Sequence, residues 1–469
     1  MAEALWTSAE IASATGGALQ GPAFQAFGVS IDSRSVEAGD LFVALAGERD
    51  GHAFIGSALQ SGAAGALAAR SGDGPRIVVG DTLKALEALA QAARDRSSAL
   101  RGAVTGSVGK TSVTQAIKAG LALAGQAHGS VKSYNNHIGV PLTLARMPRA
   151  ASRAVFEIGM NHAGEIEPLA RMVRPHAVAI TTVGPVHTEN FADGEAGVAL
   201  AKAEIFAGVE PGGAAILNAD NRWFPLLKDE AHKRGLMVRA FGSAEGSDAR
   251  LLGFVADNEG ARISARLDGQ ALDFPILQTG AHWGPNSLCT LLMLQAMDVD
   301  LGTALAALER FAPLDGRGAE RSVRIADGAF TLVDESYNAN PISMAAALDT
   351  LGRRAAQGRR IAAMTDMLEL GPEAPAYHAG LASAVEAAKV DLVFCAGPLM
   401  KSLWDALPQN RRGGYAESAD ALAPQVARAV ERGDVVMVKG SNGSRAQAIA
   451  AALVTLEGRA VGGRVGDAG

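Results

Sequence analysis

The octapeptide Val104-Thr105-Gly106-Ser107-Val108-Gly109-Lys110-Thr111 constrains this chain more than any other stretch. Before it, Ala99, Leu100, Ala103 and Val104 predict a short buried strand; after it, Thr114 to Leu123 has helix-forming composition without proline. Gly106 and Gly109 permit positive φ, so successive backbone N–H groups can converge on one anion. The helix N-terminus adds partial positive charge, Lys110 adds a full one, and the Thr111 hydroxyl is placed to ligate Mg²⁺. A nucleotide triphosphate site follows. The strict pattern has glycine where Val104 stands, so only the Gly-Lys-Thr core matches. The alternative is a glycine turn before a surface helix with an incidental lysine.

The 469 residues suggest about three domains at the usual ~100 to 200 residues each. A hydrophobic content of 48% with 20% charged residues argues against wholesale disorder. The net charge of -6 and the lack of a basic run speak against nucleic-acid binding. The start, Met-Ala-Glu-Ala-Leu-Trp, lacks the pattern of a signal peptide, and no run approaches the ~18 apolar residues of a membrane span, so a cytoplasmic protein without membrane insertion is expected. Cys289 and Cys395 lie far apart in apolar contexts and read as buried packing residues.

Residues 1 to about 82 alternate short apolar runs with glycine turns and end on a predicted strand, Arg76 to Val79, as in a small α/β unit. Its segments Asp32-Ser33-Arg34 and Gly47-Glu48-Arg49-Asp50-Gly51-His52 offer hydroxyl, guanidinium and glycine groups that suit a phosphorylated, sugar-bearing ligand. For any one of them taken singly, an ordinary hairpin or helix-cap residue is the better account. From 83 to 312 strands and helices alternate, predicting a mainly parallel sheet that begins at the P-loop. Buried strands are expected at 154–159 and 177–181, antiparallel strands within 248–276, and helices near 286–297 and 301–311. Pro313 to Gly318 is a turn-rich break. Beyond it, strands are expected near 330–334, 361–365, 391–396 and 434–439, with a frayed tail over 458–469.

Several polar groups fall at predicted strand ends, where open α/β sheets bind ligands. Glu157 closes one strand; His187 and Glu189 follow the next. With Thr111 they could hold one or two Mg²⁺ ions, and their position favours this over ordinary packing. Asn135 and Asn136 suit either a turn or a ligand. Lys202, in helix-like surroundings, has a solvated lysine as its default reading. Asp334 to Pro341 turns from strand into helix with Pro341 in the first helical turn. Asp366 and Lys439-Gly440-Ser441 occupy equivalent ends, so three tips suggest one wall of a cleft.

Taken together, Thr105 to Thr111, Asn135-Asn136 with Ile138 to Pro141, Glu157 with Asn161, His187-x-Glu189 and Ala201-Lys202-x-Glu204-Ile205 resemble, in order, the Mur ligase family of bacterial peptidoglycan precursor synthesis. The resemblance spans about residues 30 to 450. It implies three domains: a small α/β domain over 1–82 for a UDP-linked substrate, a central P-loop, mainly parallel sheet domain over 83–312 for ATP, and a C-terminal Rossmann-like ligase domain over 313–457. Within the family, Asp334-x-Ser336-Tyr337-Asn338-Ala339-Asn340-Pro341 and Asp366-Met367-x-Glu369-Leu370-Gly371 resemble the members that join D-alanyl-D-alanine to UDP-N-acetylmuramoyl-tripeptide through an acyl phosphate.

The resemblance further implies ATP contacts from Thr105, Gly106, Ser107, Val108, Gly109, Lys110, Thr111, Asn286 and Arg317. It implies magnesium held by Thr111, Glu157, His187 and Lys202, with Lys202 carbamylated and two ions present. Lys110, Lys202, His187 and Asn338 would be catalytic; Ser33, Arg34, Asp50, Gly51, His52, Asn135, Asn136, Tyr337, Asn338 and Asn340 would meet the substrates of a monomeric enzyme. Carbamylation needs a neutral amine, and at an ordinary pKa of ~10.4 only about one lysine in a few thousand is neutral at pH 7. One departure stands out: the family's Gly-x-His-Asn-x-x-Asn is here Gly280-Ala281-His282-Trp283-Gly284-Pro285-Asn286. Other readings are a ligase of the same family adding the third amino acid, a folate polyglutamyl ligase, or a nucleotide-binding regulator. The Ser336 to Pro341 segment speaks against the first two, and Glu157, His187 and Lys202 together against the third.

Overall fold

The computed structural model describes residues 3–47, 49–131 and 133–462. Glu48 of the Gly47 to His52 segment and residues 463–469 of the expected tail lie outside them; the last helix, Gln447–Gly462, runs on past 457. Three large sheets organise the described residues, beside a two-stranded pair of Trp6–Thr7 with Gln25–Ala26. The first orders Ala18–Gln20, Arg76–Val78, Gly65–Ala68, Asp40–Val43 and Gly28–Ser30, parallel except for its first pair. The helix Thr82–Asp95, capped by Asp81 on the N–H groups of Leu83 and Lys84, lies across the expected boundary at 82. Its Leu86, Leu89 and Ala93 pack with Trp6 and Ile11 of the first domain and with Leu142 and Ala145 of the second. The Trp6 indole also donates to the Ala145 carbonyl at 2.8 Å.

The central sheet has nine strands. Ala127–Gly129, Arg153–Glu157, Leu100–Thr105, Ala177–Ile180, Ala214–Asn218 and Met237–Gly242 run parallel in that spatial order. Ala177 to Ile180 are all buried, as expected for a strand covered on both faces. Ala249–Ala256, Ala261–Leu267 and Gln270–Ile276 continue the sheet, the last two pairings being antiparallel. Ala261–Leu267 buries alternate residues, so one face packs and the other meets water. Under that packed face runs Trp283–Ala296, buried along most of its length.

The third sheet orders Ala319–Ile325, Gly328–Glu335, Val435–Lys439, Arg360–Thr365, Leu392–Ala396 and Arg412–Ala416, parallel after an antiparallel edge pair. Its tips at Glu335 and Lys439 face the P-loop. No helix among the described residues is long and apolar enough to cross a membrane.

Candidate active site

The strand Leu100–Thr105 hands over to the helix Lys110–Leu123 through Gly106 (φ 149°) and Gly109 (φ 87°). A Cβ on Gly106 would collide with the Thr181 hydroxyl, and one on Gly109 would lie 3.3 Å from Asn286 Oδ1. Both positions therefore need glycine, for conformation and for space. The loop is a cradle for an anion. Half-buried Lys110 sends its Nζ back to the Gly106 carbonyl at 2.7 Å. Burial pushes the Lys110 pKa down, the Glu157 carboxylate opposes that shift, and the Arg317 guanidinium adds to it.

A cavity of about 350 Å³ opens between this loop and the third domain. On one side stand Ser107 to Ser112, Ser133, Asn135, Glu157, Thr181, Thr182, Asn218 and Asn286. On the other stand Gly316, Arg317, Glu335, Tyr337, Asn338, Asn340, Ile342 and Lys439. Of the residues expected to serve the site, the structure thus gathers Ser107 to Thr111, Asn135, Glu157, Asn286, Arg317, Tyr337, Asn338 and Asn340. Thr105 is fully buried behind the loop. Lys439 donates to Glu335 Oε2 at 3.1 Å and to the Asn338 carbonyl at 3.2 Å, so the two strand tips are joined by a largely buried ion pair. Asp366, the third tip, does not line the cavity; its buried carboxylate accepts from the backbone of Leu399 and Met400.

The paired asparagines separate in function. Asn136 caps the helix Gly139–Ala145, accepting from the N–H groups of Ile138 and Gly139 at 3.2 and 2.9 Å. Asn135 instead donates to Glu157 Oε1 at 2.7 Å. Glu157 is 1% exposed, and its other oxygen has no hydrogen-bond partner among the described residues. An orphaned buried carboxylate oxygen beside a buried hydroxyl, Thr111, is a donor set that fits a hard divalent cation. Asn340 caps the helix Pro341–Arg353 in a reciprocal box with Ser343.

Two expected members stand back from the cavity lining. His187, itself in the left-handed region (φ 59°), directs Nδ1 to Glu369 Oε2 of the third domain at 2.9 Å. Lys202 is 3% exposed and has no hydrogen-bond or ion-pair partner among the described residues. Burial, with Lys110 adding repulsion, holds its pKa well below the ordinary lysine value. Among the described residues, no three His, Cys, Asp or Glu side chains cluster as a metal cage.

In the first domain, Arg34 pairs with Asp32 at 2.7 Å and pulls its pKa down to about 2. The Asp50 carboxylate accepts from the His52 backbone and ring, while His52 Nε2 accepts from the Ala69 N–H at 2.8 Å. Both ring nitrogens are therefore occupied in shaping the Asp50 to His52 turn. Ser33 and Gly51 share these two turns.

Ser133 is a further member of the site. Its hydroxyl meets Thr111 Oγ1 at 3.1 Å, Tyr337 Oη at 2.9 Å and Arg317 Nη2 at 3.4 Å. No motif singles it out; only the meeting of three distant segments does. Trp283, at the departure from the family pattern, turns into the core against Phe311 with ring centroids 5.6 Å apart, while Asn286, one turn on, faces the cavity.

A P-loop sheet domain closed by a third domain across a nucleotide-sized cavity defines a class of ATP-dependent ligases, and comparison with known proteins agrees. Residues 26–97 match the Mur ligase family catalytic domain, 104–294 the Mur ligase middle domain, and 320–442 the Mur ligase glutamate ligase domain. The chain is 31% identical to the UDP-N-acetylmuramoyl-tripeptide--D-alanyl-D-alanine ligase of Bacillus subtilis over 96% of its own length and 98% of that protein. It is 32% identical to the Escherichia coli enzyme of the same name, over 95% and 98%. A crystal structure of MurF from Acinetobacter baumannii superposes with a TM-score of 0.83 at 25% identity, covering 96% and 98%. The chain belongs to the Mur ligase family. It is an ATP-dependent, amide-bond-forming ligase.

Proposed function

We propose that this enzyme joins D-alanyl-D-alanine to UDP-N-acetylmuramoyl-tripeptide in the cytoplasm, as a monomer. The observation that carries the reading is the cavity itself. It sets Lys110 and Thr111 of the P-loop opposite Tyr337, Asn338 and Asn340, the segment most like that of the dipeptide-adding ligases.

The terminal carboxylate of the tripeptide attacks the γ-phosphorus of ATP, giving an acyl phosphate and ADP. The amine of the dipeptide then attacks the acyl carbon; inorganic phosphate leaves, and the amine gives up a proton. Bringing a carboxylate to a triphosphate is opposed by ~4 kcal/mol per unit-charge pair at 4 Å and an effective dielectric of 20. Lys110 counters that repulsion at the reacting phosphoryl group, and the P-loop N–H groups orient the chain of phosphates. Mg²⁺ bound to Thr111 and Glu157 would supply further charge neutralisation. His187 can join that set through Nε2 while its Nδ1 stays on Glu369. Carbamylated Lys202 is supported by its burial, its lack of a partner and its lowered pKa, which leaves the amine free to react with CO₂. Arg317 and Asn286 border the nucleotide, and Asn338, held by Lys439, approaches the acyl group. Ser33, Arg34, Asp50, Gly51 and His52 form turns that receive the UDP moiety.

The test is phosphate release from Mg²⁺ and ATP with UDP-muramoyl-tripeptide, with and without D-alanyl-D-alanine. Release that requires the dipeptide, with a product heavier by one dipeptide less water, is expected. Turnover only with UDP-muramoyl-dipeptide and a diamino acid would place the enzyme one step earlier.

A further inference from the structure

Glu157 lies at the end of the strand Arg153–Glu157, where its backbone N–H donates to Ser130 Oγ at 3.1 Å. Its carboxylate is divided: Oε1 accepts from Asn135, Oε2 has no partner among the described residues. The Asn135 carboxamide is held in turn. Its backbone carbonyl accepts from Gly159 N–H at 2.8 Å, and a Cβ on Gly159 would stand 2.9 Å from Asn135 Cγ and 3.0 Å from Nδ2. Gly159 has no positive φ, so glycine serves here by giving space.

We propose that Asn135 is a positioning residue for the divalent cation rather than a contact for the acyl substrate. By donating to Oε1, its amide fixes the rotation of the Glu157 carboxylate and leaves Oε2 as the single presented ligand atom. The donor is neutral, so the full negative charge stays available to the metal; a lysine or arginine there would compete with it. Its only N–H group seen in a hydrogen bond is engaged at Glu157, on the metal side of the cavity. Gly159 completes the device by letting the carboxamide lie against the backbone. The proposal rests on the nucleotide-site reading and deepens it.

The test is Mn²⁺ titration by electron paramagnetic resonance on the full enzyme with ADP. Asn135→Ala is expected to weaken Mn²⁺ binding by about 10- to 100-fold, the usual effect of losing such a partner. ADP affinity without metal and the KM for UDP-muramoyl-tripeptide should stay within about twofold of wild type, a split that general loosening of the loop would not produce. N135L keeps the volume without the donor, and Gly159→Ala crowds the amide; both should weaken Mn²⁺ in the same way. Unchanged Mn²⁺ binding with a raised KM for the UDP substrate would overturn the proposal and return Asn135 to the substrate. Equal loss of metal-free ADP binding would also overturn it. Wild-type enzyme that binds no Mn²⁺ with ADP would instead sink the nucleotide-site reading itself.

Discussion

The Tyr337 hydroxyl lies 2.9 Å from the hydroxyl of Ser133, a residue 204 positions earlier in the chain. Ser133 also meets Thr111 of the P-loop, and the Arg317 guanidinium stands 4.1 Å above the Tyr337 ring. The third domain is thus tied to the nucleotide loop through one serine. Tyr337→Phe removes the hydroxyl and keeps the ring under Arg317. A hydrogen bond of this kind contributes ~0.5–1.5 kcal/mol, so the closed-to-open ratio should fall by about two- to tenfold. Small-angle scattering of the ligand-free variant is expected to show a larger radius of gyration than wild type. Identical curves, with identical kcat, would show that the bond does not hold the domains together.

Much of this was legible in sequence because it is local. The P-loop, Glu157 at a strand end and Pro341 at a helix start follow from periodicity and turn chemistry over ten residues or fewer. What escaped is what tertiary contact decides. Asn135 and Asn136 are chemically identical neighbours, yet one caps a helix and the other holds a carboxylate, because only one faces the strand that ends in Glu157. Ser133 gains meaning from Arg317 and Tyr337, far away in sequence. His187 sits at its strand end, and a loop of the third domain supplies Glu369 to its Nδ1, a contact that no local pattern announces. Trp283 reads as a departure from a binding motif until the packed face above its helix is known.

Lys110→Met tests the charge that the mechanism places at the phosphates. Burial already disfavours the Lys110 cation in the free protein, so its removal should leave the melting temperature unchanged or slightly raised. Turnover should fall by about 100- to 1000-fold, the range for losing one preorganised electrostatic group. Calorimetry and steady-state phosphate release separate the two effects. A variant with wild-type kcat would remove Lys110 from the chemistry.

Lys202 gives a pH prediction with a definite sign. Its folded-state pKa lies well below the ordinary lysine value of 10.5. Between those two values the unfolded chain binds more protons than the folded one, so stability rises with pH across that interval and is lost as pH falls through it. In CO₂-free buffer, Lys202→Met should therefore melt higher than wild type at neutral pH, and the difference should narrow toward pH 10. Added bicarbonate should raise the melting temperature of wild type alone. Parallel melting curves at every pH would mean that the buried amine is not held neutral.

Trp283→Asn restores the family's residue and should still damage the enzyme. The indole is 3% exposed and packs on Phe311 within the cluster that also contains Leu288 and Phe274. Replacing a buried tryptophan by a small side chain costs about 3–5 kcal/mol, and an amide left there without partners adds about 1–3 kcal/mol. The helix Trp283–Ala296 also carries Asn286, whose Oδ1 would lie 3.3 Å from a Cβ on Gly109, so slack at Trp283 reaches the P-loop. Asn286→Ala, by contrast, removes a group facing the cavity and leaves the core intact. Thermal melting should therefore fall markedly in Trp283→Asn and hardly at all in Asn286→Ala. Nucleotide affinity measured well below both melting points should drop in Asn286→Ala. If Trp283→Asn kept wild-type stability and bound ATP more tightly, the indole would be blocking the nucleotide cavity rather than filling the core beneath it.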